Sequence, residues 1–408
     1  MCRVLAFLVF GTALTCAAQP AVWNLERLSQ PPQTYPAPDY VPESPQEGGP
    51  EMVFTGKDVQ SLFYEGLPWQ GKPTRVFAFY GLPAHKEGEK VPGMVLIHGG
   101  GGTAIDEWVR IWNRRGYAAI SMDVTGTRPG GKPGERPAHE WAGPFHYPEG
   151  QNLDWPAEDQ WVYHAVADAM LANSFLRAQP EVDPERIGVT GISWGGFLTC
   201  IVSGVDPRFK FAVPVYGCGF HNEAPCLQPT WQAIGPELAQ KWFDLWDPSQ
   251  YLKNTAMPTL WITGSNDFFA PVHTHAKSFD LVTGPKDLCV PVGMSHSHVH
   301  GWAPPEIYAY ADSILQGGVP LARVVEQGRE NGQVWARFDA QTPIRDAVLV
   351  YTADTSDWVK CPWQTIPARI DYASNRIAAT IPTDCRAYYF NLTDERDLLV
   401  SSRVVLLP

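Results

Sequence analysis

Two kinds of apolar run organise this chain. Gly93-Met94-Val95-Leu96-Ile97 and Tyr117-Ala118-Ala119-Ile120-Ser121-Met122 are continuous apolar stretches, as strands buried on both faces are. Similar runs recur at Ile187 to Val189, Phe211 to Val215, Thr259 to Thr263 and Leu288 to Val292. Helical stretches lie between them, beginning with the amphipathic segment Glu107 to Arg115, and Pro305 to Leu315 predicts a closing helix. Strands that alternate with helices predict a mostly parallel sheet covered on both sides. The second kind of run alternates apolar and polar residues. It fills Met52 to Tyr80, which predicts antiparallel strands opening the sheet, and returns after about Gly318. There Gln333 to Phe338, Asp346 to Tyr351, Arg376 to Ile381, Ala387 to Phe390 and Val400 to Leu406 predict a small β-sandwich of immunoglobulin-like type. No chemistry is legible in that last region.

These patterns divide the 408 residues into four stretches. Residues 1–18 read as a secretory signal, with Arg3, an apolar run from Val4 to Leu14, and Cys16-Ala17-Ala18 before a cleavage point. The apolar run is too short to span a membrane, so a secreted or periplasmic protein is expected. Residues 19–50, dense in proline, read as a linker or arm with no packed core of its own. Residues 51–318 form the α/β unit and 319–408 the sandwich. Composition changes this picture little: 44% hydrophobic and 18% charged residues are those of a globular protein. A net charge of -12 argues against nucleic acid or an anionic membrane as partner. Six cysteines follow the signal; Cys218 with Cys226 and Cys361 with Cys385 are expected to pair as disulfides.

The chemistry sits at strand ends. Gly191-Ile192-Ser193-Trp194-Gly195 fits G-x-S-x-G between an apolar strand and a helical run, the context of a nucleophile elbow with Ser193 at the apex. An acyl-transfer serine needs a base, and the base needs an orienting carboxylate. Asp267 follows one buried strand, and His296, His298 and His300 follow the last. His296 is the first imidazole past the turn at Gly293 and is expected to be the base, with His298 its competitor. His98-Gly99-Gly100-Gly101-Gly102 ends the first buried strand, so the N–H groups of Gly100 and Gly101, with that of Trp194, are expected to receive an oxyanion. Two long insertions, 124–157 and 217–250, follow strand C-terminal ends and carry Trp141, Trp155 and Trp231, which are expected to wall a substrate cleft.

With its strand, helix and motif order, the chain resembles the α/β-hydrolase superfamily. Within it the likeness is to the acetylxylan esterase, dienelactone hydrolase and prolyl-oligopeptidase-like branch, over roughly residues 50–318. The resemblance implies Ser193 as nucleophile, Asp267 as acid and His296 as base, no cofactor, and a small ester or acylated carbohydrate as substrate. No β-propeller precedes the hydrolase unit, which weakens the alternative of a prolyl-oligopeptidase-type peptidase. Two other readings stay open at this point: a transition-metal site built from His273, His275, His296, His298 and His300, and an inactive hydrolase domain that only binds.

Overall fold

The computed structural model describes residues 20–38, 58–132, 135–145 and 152–407; the signal stretch lies outside them. Nine strands form the main sheet: β1 (Thr34–Pro36), β2 (Val59–Glu65), β3 (Arg75–Gly81), β4 (Val91–Ile97), β5 (Ala118–Met122), β6 (Val182–Ile192), β7 (Ala212–Val215), β8 (Thr259–Ile262) and β9 (Lys286–Cys289). Their order is β1-β2-β3-β5-β4-β6-β7-β8-β9; pairings up to β3–β5 are antiparallel and the rest are parallel. Helices α1 (Leu25–Leu28), α2 (Asp106–Asn113), α3 (Trp161–Arg177), α4 (Trp194–Val205), α5 (Gln228–Ile234), α6 (Pro236–Trp246), α7 (Val272–Leu281), α8 (His298–Trp302) and α9 (Pro305–Leu315) complete the unit. This is the α/β-hydrolase arrangement.

The continuous apolar runs become the central strands because both sheet faces are covered. Every residue of β4 and β5 is buried. Side chains such as Leu96 and Ile97 each contribute about 1.5–3 kcal/mol by leaving water. From β4 the chain winds to β5 on one side and to β6 on the other. The C-terminal ends of β4 and β6 therefore lie side by side where the winding reverses, the place at which open α/β sheets form a crevice.

In its described part the stretch read as a linker or arm lies on the hydrolase unit: Trp23 and Leu28 are buried, Trp23 stacks on Tyr163 at 5.3 Å, and β1 joins the sheet through β2. Two expectations need correction. The last parallel strand ends at Cys289, short of Val292, because Val290 turns its N–H to Ser401 Oγ and its carbonyl to Asn391 Nδ2. The expected disulfides are not formed. No disulfide joins the described cysteines, and Cys218 is buried against Thr274 while Cys226 is exposed. Cys361 spends its Sγ–H on Asp354 O at 2.8 Å, and Cys385 on Ala387 O at 3.3 Å.

The C-terminal region is a pair of antiparallel sheets. One holds β10 (Arg323–Glu330), β11 (Gln333–Asp339), β14 (Arg369–Asp371) and β15 (Arg376–Thr380). The other holds β12 (Ile344–Thr352), β13 (Gln364–Pro367), β16 (Ala387–Asp394), β17 (Leu399–Ser401) and β18 (Val405–Leu406). Alternation is clear in β11, where Val334, Ala336 and Phe338 point inward. This sandwich packs on the edge of the main sheet rather than hanging from it. Arg323 clasps Asp287 of β9 through two 2.8 Å bonds, and Leu399 N–H donates to Glu306 of α9 at 2.7 Å. Covering β9 also removes an exposed sheet edge, which otherwise invites pairing with another chain.

Candidate active site

Ser193 sits between β6 and α4 with φ 59° and ψ −119°, a conformation costly for any residue with a side chain. The surroundings enforce it. Ser193 N–H donates to Val215 O at 2.9 Å, and its carbonyl accepts Phe197 N–H at 2.9 Å to start the helix. A Cβ at Gly191 would collide with Gly195 O, and one at Gly195 with Ile97 O, so the motif's glycines let β4, β6 and α4 approach closely. This is why the pentapeptide needs those two glycines.

The residues expected at the strand ends converge on this turn. His296 Nε2 lies 2.8 Å from Ser193 Oγ, and His296 Nδ1 lies 2.7 Å from Asp267 Oδ2. The carboxylate can only accept, so Nδ1 carries the proton and Nε2 is the bare nitrogen that takes the serine's O–H. Asp267, 2% exposed, is held by its other oxygen, which accepts Phe269 N–H at 2.9 Å and Ala270 N–H at 2.6 Å. Its carboxylate thus faces the imidazole in one orientation. Tyr216, in the left-handed region at φ 52°, stacks its ring on His296 at 4.3 Å and donates its hydroxyl to Ser295 O at 2.7 Å. Burial, with Asp267 nearby, raises the Tyr216 phenol well above its ordinary range. The Phe268 ring also lies against the imidazole, at 4.5 Å and tilted by 45°, and leaves 44% of its surface exposed.

On the opposite side of Ser193 lies the glycine loop after β4. Gly99 N–H donates to His298 Nε2 at 2.8 Å. His98 secures the same loop: its Nδ1–H donates to Gly99 O at 2.7 Å, and its Nε2 accepts Val124 N–H at 3.1 Å. Arg136 Nε donates to Gly101 O at 3.2 Å, and Gly100 lies against the Trp194 indole. Gly102 N–H donates to Gly99 O at 3.1 Å, which closes the turn of this loop. Burial, with His98, His296 and Arg136 adding to the effect, pushes the His298 ring down to about 3, so it stays neutral and keeps its acceptor nitrogen.

The tryptophans expected to wall a cleft pack on partners of their own. Trp141 stacks on Arg75, whose guanidinium is 4.1 Å from its ring. Trp155 lies beside Trp69 at 6.2 Å. Trp231 is buried against Trp242 at 4.9 Å and gives its indole N–H to His221 O, so it offers no face to a ligand. The reason is local: the second insertion folds into α5 and α6, whose aromatic side packs inward behind Trp194 and Phe197. Tyr216 and Phe268 were missed in the sequence. Tyr216 stands one residue past a buried strand end and Phe268 one past the acid, and that position was their available signal.

The histidines proposed as metal ligands are dispersed. His298 serves Gly99, His300 bonds Ser297, His273 stacks on Trp358 at 4.9 Å, and His275 is buried against Trp261. Among the described residues, no three His, Cys, Asp or Glu side chains are grouped to hold an ion.

Comparison with known proteins agrees with this architecture. Residues 52–293, more than half of the chain, match the acetyl xylan esterase (AXE1) family. Over 211 residues the chain is 28% identical to the uncharacterized peptidase YuxL of Bacillus subtilis, covering 48% of this chain and 29% of that protein. Over 234 residues it is 24% identical to acetyl esterase Axe7A of Xylanibacter ruminicola, covering 54% and 52%. The match therefore spans about half or less of the length of these curated relatives. Among solved structures, the acetyl xylan esterase of Paenibacillus sp. R4 superposes with a TM-score of 0.54 at 18% identity, over 74% of this chain and 97% of that one. Acetyl xylan esterase 1 of Thermoanaerobacterium sp. gives 0.51 at 19%, over 69% and 90%. These structural likenesses speak to the fold. The chain belongs to the acetyl xylan esterase family of α/β-hydrolases.

Proposed function

We propose that the protein is an exported serine esterase that removes acetyl or other short acyl groups from carbohydrate. The observation that carries this reading is His296, which bridges Ser193 Oγ at 2.8 Å and Asp267 at 2.7 Å. In this mechanism Ser193 Oγ attacks the acyl carbonyl while His296 Nε2 takes its proton, and Asp267 stabilises the imidazolium. The negative charge that forms on the carbonyl oxygen meets the N–H of Trp194 at the head of α4 and those of Gly100 and Gly101. Collapse expels the sugar oxygen, which receives the proton from His296, and leaves Ser193 acylated. Water then attacks the acyl-enzyme with His296 again as base and releases the free acid.

Family membership supports an ester as substrate, and the exposed Phe268 ring beside His296 suits the apolar face of a sugar. Residues 1–18 support export. The similarity to the Bacillus protein favours a second reading, cleavage of short peptides or aryl amides by the same three residues. Acetate release from acetylated xylan and peracetylated sugars, set against prolyl and aminoacyl amides, separates the two. Wild-type enzyme is expected to release acetate and Ser193→Ala none; amide cleavage without acetate release refutes the esterase.

A further inference from the structure

The loop that carries Asp267 turns its outward polar groups to the sandwich. Trp363 donates its indole N–H to Ser265 O at 3.0 Å. Asn266 Nδ2 donates to two sandwich carbonyls, Val359 O at 3.1 Å and Cys361 O at 2.9 Å. Trp358 stacks on His273, in the first turn of the helix after the acid, with the rings 22° from parallel. The segment that makes these contacts is itself anchored, since Trp363 packs edge-on against the buried Tyr389 at 5.4 Å and Cys361 bonds Asp354 O.

The link continues to the base. Ser265 Oγ donates to Asn266 Oδ1 at 2.7 Å and accepts Gly293 N–H at 3.0 Å, which ties the acid loop to the loop of His296. Both backbone groups of Val290, where the chain leaves β9 for that loop, are taken by Ser401 and Asn391 of the sandwich. Ser401 in turn donates to Asn391 Oδ1 at 2.6 Å, so the pair acts as one fixture. Of the three strand-end loops that carry Ser193, Asp267 and His296, two are thus fastened from outside the hydrolase unit.

We propose that the C-terminal sandwich is a positioning element of the active site: Trp358, Trp363, Asn391 and Ser401 hold the loops that present Asp267 and His296. The proposal rests on the esterase reading for what those two residues do. Its physical basis is geometric, because a displacement of about 1 Å in a catalytic group costs on the order of 100-fold in rate. Asn266 and Ser265 are the receiving partners. None of these residues touches the reacting atoms, so they are positioning residues.

The test uses the full chain with Trp363→Phe, which keeps the ring and removes one donor, Asn266→Ala, and the double variant. Each single change is expected to lower kcat about 10-fold and the pair about 100-fold, with KM within about twofold. The downfield proton resonance of the hydrogen bond between His296 and Asp267 should broaden or vanish in the pair. Val334→Ala, in the sandwich core away from these loops, is the control and should lower the melting temperature while leaving kcat and the resonance in place. Variants that lose melting temperature but keep kcat and the resonance overturn the proposal, and so does an equal loss of kcat in Val334→Ala. If wild-type protein turns over no ester yet its resonance is lost in the double variant, the esterase reading fails and the positioning role stands.

Discussion

His296 and His298 stand two residues apart, yet they serve opposite sides of Ser193. His296 belongs to the side that the proposed mechanism assigns to acid–base chemistry, on loops that contact the sandwich. It is held between Asp267 and Ser193, with Tyr216 stacked on it and Phe268 tilted against it. His298 belongs to the glycine-loop side, which the proposed mechanism assigns to the oxyanion. It is the first residue of α8 and accepts from Gly99. The lesson is that residue type and spacing do not assign a role. Ser297 caps α8 by accepting His300 N–H, and the turn into that helix swings the second imidazole away from the acid. An extended chain would have put both on one face.

The largest effect should come from breaking the acid–base side. His296→Ala is expected to lower turnover of an aryl acetate by roughly 10⁵-fold, as loss of the base leaves only binding and the oxyanion donors. A variant that keeps more than a hundredth of the rate moves the base elsewhere. Asp267→Asn keeps the shape but lets the amide N–H face His296 Nδ1, which favours the wrong tautomer. Steady-state assays should find about 10⁴-fold loss.

The glycine-loop side should answer more mildly. His298→Ala frees Gly99 N–H without removing a reacting group, and about 10-fold to 100-fold loss in kcat is expected from a loop less well aimed. A loss as deep as that of His296→Ala would exchange the two roles.

The smallest effect concerns histidines that take no part in the chemistry. Burial pushes His275 down to about 3, so it is neutral in the fold but takes a proton in the unfolded chain below about pH 6.5. Unfolded chain binding more protons means that stability rises with pH in this window. Lowering the pH from 7 to 5 should therefore cost about 2 kcal/mol at His275, and His275→Gln should flatten that slope in chemical denaturation. An unchanged slope removes His275 from the account.

The central strands, the elbow and the closing helix were legible because continuous apolar runs and G-x-S-x-G reflect strong constraints: burial on both faces and a collision-free turn. That Asp267 and His296 meet beside Ser193 was legible from their place after strands. Tyr216, Phe268 and the contacts of Trp363 and Asn266 were not, since each depends on two loops meeting across the fold, and a sequence shows only one at a time. Trp231 misled for the same reason. An aromatic residue in an insertion looks like a cleft wall until helices such as α5 and α6 form and turn it inward.

Covalent capture reads out the nucleophile itself. Wild-type protein treated with a fluorophosphonate should lose ester turnover as one equivalent adds, and mass mapping should place the adduct on the peptide that contains Ser193. Ser193→Ala should stay unlabelled. Full turnover in unlabelled wild-type protein, or an adduct on any other residue that accounts for the lost activity, would contradict Ser193 as that nucleophile.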